Sequence, residues 1–477
     1  MTEPRPQVPA NRVYWAGVAA CAVSAYTLAL QNSAMNVAGP VLARDFAVDV
    51  SDASAVTLVY TIPIAATLIA GGRMGDVFGA RKMFRFGVGL YLVTSAMAGL
   101  APGLGPLLLV RVLQSVGATL VVSNQLGLAA RSVGALRRGE VFGILNLMAY
   151  AGQVSGPVVG GLLTAGFGWR SLFWMNVPLA LGLLVWGIAH IPSDTPSGRA
   201  RALDLPGAAL FAGAVAAILF AINRSPAWGP TSPQVLGLVA VSIVFGIAFV
   251  YRETRTAVPM LDLTLFRRGN FSAAVGSSIA NFVANSGVVL LLPFYLVEGQ
   301  NLGVEQAGMA LVPLSLLMAM TAPMSGRLGD RVGPRIPSIV GMLLLSLSVG
   351  AIALFPFFVP VPGLLVILAV AGVGIGLFTS ANTTVIMGTV PQDRLGVAGG
   401  IVHTARYIGL TAGVALAGAV YVLVAQADAV PTGSLLAYRV AFAVLAVIAG
   451  AGAVMLALAR SAPRVDESVA ARAGVAQ

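Results

Sequence analysis

The chain has 477 residues, of which 58% are hydrophobic and 9% are charged, and its mean hydropathy is +0.90. A soluble protein of ordinary composition carries about a quarter charged residues, so the composition excludes a typical soluble globular domain. The net charge of +11 could suggest a nucleic-acid partner. The basic residues lie between apolar segments and form no single patch, so we expect no nucleic acid. The single cysteine, Cys21, excludes a disulfide framework, and we expect neither metal nor cofactor.

Apolar segments of about 20 residues recur along the chain, and each is long enough to cross a bilayer core of about 30 Å. They predict an all-α polytopic membrane protein with fourteen transmembrane helices. In chain order the predicted spans are 14–37, 54–71, 83–100, 104–130, 141–165, 171–191, 205–222, 235–251, 271–297, 304–325, 336–357, 363–387, 398–424 and 435–459.

The spacing of these spans divides the chain into six, two and six helices. Residues 1–191 are predicted to form an N-terminal six-helix bundle and residues 271–460 a C-terminal one. Residues 192–270 are predicted to be a linker that carries an inserted helix pair, and 461–477 a tail. Twenty-two of the 28 Lys and Arg residues fall on the side that holds both termini, and four fall on the other. This bias predicts that both termini are cytoplasmic.

A loop motif occurs twice. Residues 72–82 read Gly-Arg-Met-Gly-Asp-Val-Phe-Gly-Ala-Arg-Lys, and residues 326–335 repeat the frame Gly-Arg-x-Gly-Asp-x-x-Gly. The recurrence indicates two related halves. We expect polar hairpins in which glycines allow a tight turn and close helix approach, and in which the Asp accepts from a neighbouring helix N-terminus. The predicted gating residues are Gly72, Asp76, Gly79, Arg81, Gly326, Asp330 and Arg331.

Span 5 carries Gly152, Gly156 and Gly160 at intervals of four, which gives one smooth helix face for close packing. Pro157 removes a backbone donor and is expected to bend the helix.

Polar residues inside spans are costly and usually face the bundle interior or water. Their recurrence in spans 1, 5, 7 and 10 predicts a polar, largely uncharged cavity between the halves; interhelical hydrogen bonding is the alternative for each residue. The predicted cavity residues are Gln31, Asn32, Asn36, Tyr60, Asn146, Tyr150, Gln153, Asn281, Asn285 and Asn382. Tyr60, Phe282 and Tyr407 could add aromatic contacts to a hydrophobic substrate.

Together these features resemble the major facilitator superfamily, specifically its fourteen-helix drug–proton antiporters. The resemblance covers nearly the whole chain. It is carried by both loops and by further motifs: residues 30–40 in span 1, Arg111 with Gln114 and Gly117 in span 4, Gly152 to Gly161 in span 5, residues 168–170 and 176–178 at span 6, and residues 259–263 with Phe266 in the linker. The resemblance implies two six-helix bundles that rock around a central cavity, with an arginine such as Arg111 linked to proton coupling.

The chain departs from that family at Gln31, where the first-span motif carries an aspartate. An amide cannot titrate, and no acidic residue lies near the middle of a span. The predicted proton-coupling residues are therefore Arg111, Glu298 and His403. Arg111 could instead bond neighbouring carbonyls, Glu298 could be a solvated helix end, and His403 could be a packing residue. Arg406 shares the His403 face and could meet substrate or extend its charge toward the interface.

The predicted function is secondary active export of hydrophobic small molecules such as antibiotics or dyes, by proton antiport. An alternative is transport of an anionic metabolite, favoured by Arg111, His403 and Arg406 with no buried acids. A sensor or scaffold that does not transport is a third possibility, and we expect no enzyme, because no nucleophile–base set is present. The arginine-rich composition is typical of a bacterial genome of high GC content, so the predicted location is the bacterial inner membrane, as a monomer in contact with lipid.

Overall fold

The structure is a computed structural model that describes residues 15–48, 50–133, 137–191, 203–229, 231–256, 259–261, 263–300, 309–354, 361–391, 394–427 and 435–459. The beginning of the predicted linker, residues 192–202, and the predicted tail at 461–477 lie outside these residues.

Long apolar runs form helices because a helix satisfies its own backbone hydrogen bonds where no water can do so. Across the described residues there are fourteen α-helices. They are α1 Trp15–Asp45, α2 Val50–Phe78, α3 Ala80–Gly99, α4 Leu104–Arg131, α5 Arg138–Phe167, α6 Arg170–His190, α7 Leu205–Trp228, α8 Pro233–Arg255, α9 Gly269–Phe294, α10 Val312–Val332, α11 Arg335–Leu354, α12 Val361–Gly388, α13 Leu395–Ala427 and α14 Leu435–Leu458. A 3₁₀ turn, Leu263–Arg267, precedes α9, and a π-helical turn, Tyr295–Gly299, follows it.

The prediction of an all-α polytopic membrane protein is confirmed. In the described parts of the chain, nine helices are long and apolar enough to cross a membrane by length and composition. The count of fourteen spans stays a prediction.

Helices α1 to α6 pack mainly on one another. The chief contacts are those of α1 with α5, of α6 with α3, and of α4 with both α2 and α3. Helices α9 to α14 do the same, with α9 against α13 and α14 and α12 against α10 and α11. Contact between these N-terminal and C-terminal halves is made chiefly by α5 with α10 and by α2 with α13. The two contacts are related by the sequence repeat, since α10 carries the second copy of the motif in α2.

The motif segments are not the polar hairpins that the sequence predicted. Helix α2 continues through the motif to Phe78, and α10 continues to Val332. Each turn is made by one glycine with positive φ, Gly79 at 100° and Gly333 at 92°, and these glycines are equivalent in the repeat. Only glycine adopts this conformation without strain, and therefore the last glycine of each motif makes the turn. The other motif residues lie on rigid helix, which fixes where their side chains point.

The glycine face of α5 packs against α1. A Cβ atom at Gly156 would lie 2.5 Å from Ser33 Cβ, and one at Gly160 would lie 2.8 Å from Ala34 Cα. Gly152 is equally close to the backbone of Tyr26. Pro157 lies inside α5, whose helical run is unbroken from Arg138 to Phe167.

The inserted pair α7 and α8 is joined by charge at one end. The Asp204 carboxylate caps α7 by accepting from Gly207 N at 3.0 Å, and it pairs with Arg252 of α8 at 2.8 Å. Glu253 accepts from the backbone N–H groups of Met260 and Leu261, both at 3.2 Å, and so attaches the following linker to α8. Both contacts fix the end of the pair that is predicted to be cytoplasmic.

The pair lies beside both halves. Val215 and Leu219 of α7 pack on Ala65 and Ala66 of α2, and Tyr407 of α13 borders the same cluster. Most of α8 remains exposed on the outside of the bundle.

Candidate gate and transport pathway

Asp76 joins α2 of the N-terminal half to α13 of the C-terminal half. Its carboxylate accepts from Gly396 N at 2.9 Å and from Val397 N at 3.0 Å, which are unpaired donors in the first turn of α13. Arg131 of α4 lies 3.4 Å from the same carboxylate. A negative charge at a helix N-terminus is favoured by the helix dipole. We call this contact the Asp76 clamp.

Asp330 makes the equivalent contact in the opposite direction. Its carboxylate on α10 accepts from Gly139 N and Glu140 N, both at 2.9 Å, at the start of α5. This is the Asp330 clamp. Each half therefore holds the first turn of a helix in the other half, and the sequence expectation of an Asp accepting from a helix N-terminus is met at both sites.

Glycines bring the backbones together beside each clamp. A Cβ atom at Gly72 would overlap the carbonyl oxygen of Gly396, and a Cβ at Gly326 would overlap that of Gly139. One turn along α5, a Cβ at Gly143 would lie 2.6 Å from the Ala322 carbonyl oxygen. The halves are thus closed against each other at the inner end, by which we mean the end that carries both motifs.

Sequence reasoning did not find the helix starts that the clamps hold. The signal was present: Gly139 and Gly143 recur as Gly396 and Gly400, with the same spacing of four. Neither pair of glycines belongs to a motif on which the family resemblance rests. Their role in joining the two halves is visible only in the tertiary contacts.

Further residues that sequence reasoning missed support the clamps. The Asn124 amide donates to the Gly71 carbonyl at 3.2 Å and fills the space beside Gly75. Glu140 accepts from Arg137 at 2.7 Å and pairs with Arg327 of the other half at 3.2 Å. The ion pair between Glu140 and Arg327 adds a third link across the inner end.

Deeper in the interface, uncharged polar groups and one arginine meet. Tyr150 of α5 donates its hydroxyl to Thr379 of α12 at 3.1 Å, and the Asn146 amide lies 3.4 Å from the Ser380 hydroxyl. The Arg406 guanidinium lies 5.7 Å from the Tyr150 ring centroid. Tyr150 and Asn146 thus occupy the interface between the halves, where the sequence placed a cavity.

Arg111 is fully buried in the N-terminal half. Its Nε donates to the Val56 carbonyl at 3.1 Å, and its Nη1 donates to Gln114 at 2.8 Å. The guanidinium lies 4.0 Å from the ring centroid of Tyr60, which makes a close cation–π contact. The Gln114 side-chain nitrogen in turn donates to the Ser95 hydroxyl at 2.8 Å. Within the described residues Arg111 therefore has carbonyl, amide and aromatic partners and no carboxylate.

Several predicted residues keep unused hydrogen-bonding atoms. Both amide atoms of Gln31, the Asn32 carbonyl oxygen and the His403 Nε2 are buried, and no described residue bonds them. The side chains of Asn36 and Glu298 lie outside the described residues. Buried polar atoms without partners cost free energy, and so they are candidates for contact with water or a ligand.

The other predicted cavity residues are dispersed. Asn281 donates to the Met342 sulfur at 3.5 Å, and Asn382 donates to the Ala274 carbonyl at 2.9 Å, so both amides bridge helices inside the C-terminal half. Asn285 is half-buried, and Gln153 is exposed on α5. The structure brings Tyr150, Asn146 and Arg406 together and keeps this second group apart.

Arg81 lies in the first turn of α3 and Arg331 in the last turn of α10, at the same inner end as the clamps. With these two, all seven predicted gating residues lie at this end.

The sequence profile of the Major Facilitator Superfamily matches residues 21–414 and 274–476. The chain is 32% identical to the multidrug resistance protein Stp of Mycobacterium tuberculosis, over 86% of this chain and 76% of that protein. It is 30% identical to the tetracenomycin C resistance and export protein of Streptomyces glaucescens, over 85% and 75%. It is 29% identical to the riboflavin transporter RibZ of Clostridioides difficile, over 84% and 87%.

Among solved structures, the fold is similar to that of the human organic anion transporter MFSD10. The TM-score is 0.65 at 15% identity, and the match covers 94% of this chain and 99% of that one. At this identity the similarity concerns the fold alone. The matched profile, the relatives and the fold agree, and the chain belongs to the Major Facilitator Superfamily of membrane transporters.

Proposed function

We propose that this transporter exports hydrophobic small molecules, such as drugs, antibiotics and dyes, from the cytoplasm by alternating access. The observation that carries the proposal is the pair of clamps, because they are links that a rocking motion would break and remake together. Relatives named for multidrug resistance and for tetracenomycin C export support the substrate class.

In this proposal the inner end is cytoplasmic, both termini lie on that side, and the described conformation is closed toward the cytoplasm. Opening would separate Asp76 from the start of α13 and Asp330 from the start of α5. Each carboxylate would then exchange two backbone donors for water, at a net cost of about 1.5–3 kcal/mol for each hydrogen bond to the charged group. The clamps would therefore favour the closed conformation, and other contacts made during the transport cycle would offset the cost of opening.

The substrate would bind between the halves, against Tyr150, Asn146 and the amide atoms of Gln31 and Asn32 that no described residue bonds. Asn281 and Asn382, whose amides bond within the C-terminal half, would line this pathway only if another conformation released them. The protein would act as a monomer in a bacterial inner membrane.

Proton antiport is the proposed energy source. Gln31 cannot carry a proton, and Arg111 is held by neutral partners, so a titratable group must be found elsewhere. Glu298 lies in the π-helical turn that follows α9, and His403 lies half-buried in α13 with an Nε2 that no described residue bonds. Imidazole is a titratable group, and water admitted to the open pathway would favour its protonated form. Arg111 would then support the coupling by its fixed charge.

Drug susceptibility of an efflux-deficient bacterial host tests this function. The host would carry the wild-type gene, an empty vector or an Asp76→Asn/Asp330→Asn double variant, with membrane abundance matched by immunoblot. We expect the wild type to raise the inhibitory concentration of at least one hydrophobic drug several-fold and the double variant to lose most of that protection. If the wild type protects against no compound in a broad panel at normal abundance, drug export is refuted.

A further inference from the structure

We propose that Arg406 selects substrates by charge, and that the preferred substrates are planar aromatic compounds that carry an acidic group. The inference rests on the proposed export function and specifies the substrate class of the same pathway.

Arg406 lies between aromatic rings from the two halves. Its guanidinium carbon is 5.7 Å from the ring centroid of Tyr150, on α5 of the N-terminal half. It is 5.2 Å from the ring centroid of Phe282, on α9 of the C-terminal half. Arg406 itself belongs to α13. The cation therefore stands at the interface that alternating access would expose first to one side of the membrane and then to the other.

Among the described residues, no anionic group neutralises the charge of Arg406. In the described part of the chain no hydrogen bond or ion pair is formed by its guanidinium, and its contacts are the two rings. Arg111 differs, because carbonyl and amide oxygens accept from two of its nitrogens. A guanidinium offers five N–H donors in a planar fork that fits a carboxylate, sulfonate or phenolate. At Arg406 this fork remains available.

The described groups around Arg406 add no negative charge. Tyr150 is bonded to Thr379, and Asn146 lies beside Ser380, so the neighbouring contacts on α5 and α12 are neutral. On its own helix, one turn earlier, His403 presents a buried Nε2 with no described partner. The carboxylates of Asp76 and Asp330 accept hydrogen bonds from backbone N–H groups at the inner end of the bundle. An acid that enters here gains a positive partner, whereas a cation meets like charge.

The two rings specify the rest of the ligand. Tyr150 is buried and rigidly placed by its bond to Thr379, and Phe282 is buried on the facing helix. Flat aromatic ligands stack against such rings in offset or edge-on geometry. A planar ring system with one acidic substituent could thus contact a ring and the guanidinium at once. This unites the two transport alternatives of the sequence analysis, a hydrophobic drug and an anionic compound.

A pair of fluorescent probes with one skeleton and opposite charge tests the inference. Fluorescein is an anionic xanthene and rhodamine 123 is a cationic one. Binding of each to the purified full chain in nanodiscs of zwitterionic lipid would be measured by fluorescence anisotropy at pH 7.5. We expect the wild type to bind fluorescein at least about tenfold more tightly than rhodamine 123, which corresponds to about 1.4 kcal/mol.

The variants separate charge selection from packing. Arg406→Gln should remove the preference by weakening fluorescein binding about tenfold or more, without weakening rhodamine 123. Arg406→Lys keeps the charge but loses the planar fork, and we expect an intermediate preference; it also serves if Arg406→Gln does not fold. The matched control is Arg224→Gln, because Arg224 also lies near two rings, Phe220 at 5.6 Å and Trp228 at 5.9 Å, but on α7 outside the halves.

The inference is overturned if the wild type prefers the cation, or if the substitution of Arg406 weakens both probes equally or neither. Equal weakening would mean that Arg406 only packs the two halves together. Binding in nanodiscs does not require transport, so a failure here is distinct from a failure of the drug-susceptibility experiment, which would refute export itself.

Discussion

Replacing Gly72 with alanine should open the inner end of the transporter. The new Cβ would lie 2.5 Å from the carbonyl carbon of Gly396 and 3.0 Å from Val397 N. Carbon atoms in contact stand about 3.5–4.0 Å apart, so the two backbones must separate by about 1 Å or more. The contacted atoms belong to the backbone of a helix start and cannot turn aside as a side chain would.

That separation would break the Asp76 clamp. Its two bonds, now 2.9 and 3.0 Å long, would lengthen to about 4 Å, beyond hydrogen-bonding range. Hydrogen bonds to charged groups contribute about 1.5–3 kcal/mol each, so the closed conformation would lose about 3–6 kcal/mol. This corresponds to a shift of about 100-fold or more toward conformations that are open at the inner end.

Pulsed electron paramagnetic resonance can measure the shift. Spin labels would be attached at Phe78→Cys and Val332→Cys, which occupy equivalent exposed positions, 44% and 43%, at the ends of α2 and α10. The native Cys21 is fully buried and should not react. We expect Gly72→Ala to increase the population at longer distances and to slow transport, because the return to the closed state becomes unfavourable.

The control is Gly182→Ala on α6, where an added Cβ would meet nothing within 4 Å. It should leave distances and flux unchanged. An unaltered distance distribution in Gly72→Ala, at normal abundance and flux, would refute the assignment of this contact as a gate.

Three further predictions concern the clamps, proton coupling and the packing of α1 on α5. Asp76→Asn should lower flux several-fold with abundance and substrate affinity unchanged, because an amide can accept at one atom only and the backbone N–H left unsatisfied costs about 1–3 kcal/mol. Asp330→Asn should have a weaker effect, since only Asp76 also forms an ion pair with Arg131 among the contacts described above. A larger effect at Asp330 would contradict this ranking. In proteoliposomes with an imposed pH gradient, Gln31→Asp should steepen the gradient dependence of transport, whereas Glu298→Gln or His403→Ala should flatten it; a wild-type response in both latter variants would exclude these two residues as proton carriers. Gly156→Ala should lower the thermal unfolding temperature in detergent, because its Cβ would lie 2.5 Å from Ser33 Cβ and overpacking costs about 1–3 kcal/mol; unchanged unfolding would show that α1 and α5 can separate freely.

The sequence determined the helical architecture because membrane insertion depends on local properties. A run of about 20 apolar residues is both the signal and the cause of a spanning helix. The fourteen described helices accordingly coincide with the predicted spans to within several residues, except α10, whose predicted first residues lie outside the described chain. The repeat of the Gly-Arg-x-Gly-Asp frame likewise identified two related halves, because the same residues recur at Gly72 and Gly326.

Tertiary structure decided what those residues touch. Asp76 was recognisable as a helix-capping acid, but its partner, Gly396, is 320 positions away and follows no charge or hydropathy pattern. The continuation of α2 and α10 through the motifs could not be predicted from the sequence either, because glycines and charged residues usually end a helix. In the structure, contact with the opposite half stabilises these extra helical turns. Asn281 and Asn382 show the same limit, since sequence placed them on a polar face without revealing that helices of one half would take up their donors. Composition and periodicity fix each helix, because they act within one segment; the gate and the charged site between Tyr150 and Phe282 arise only where helices from both halves meet.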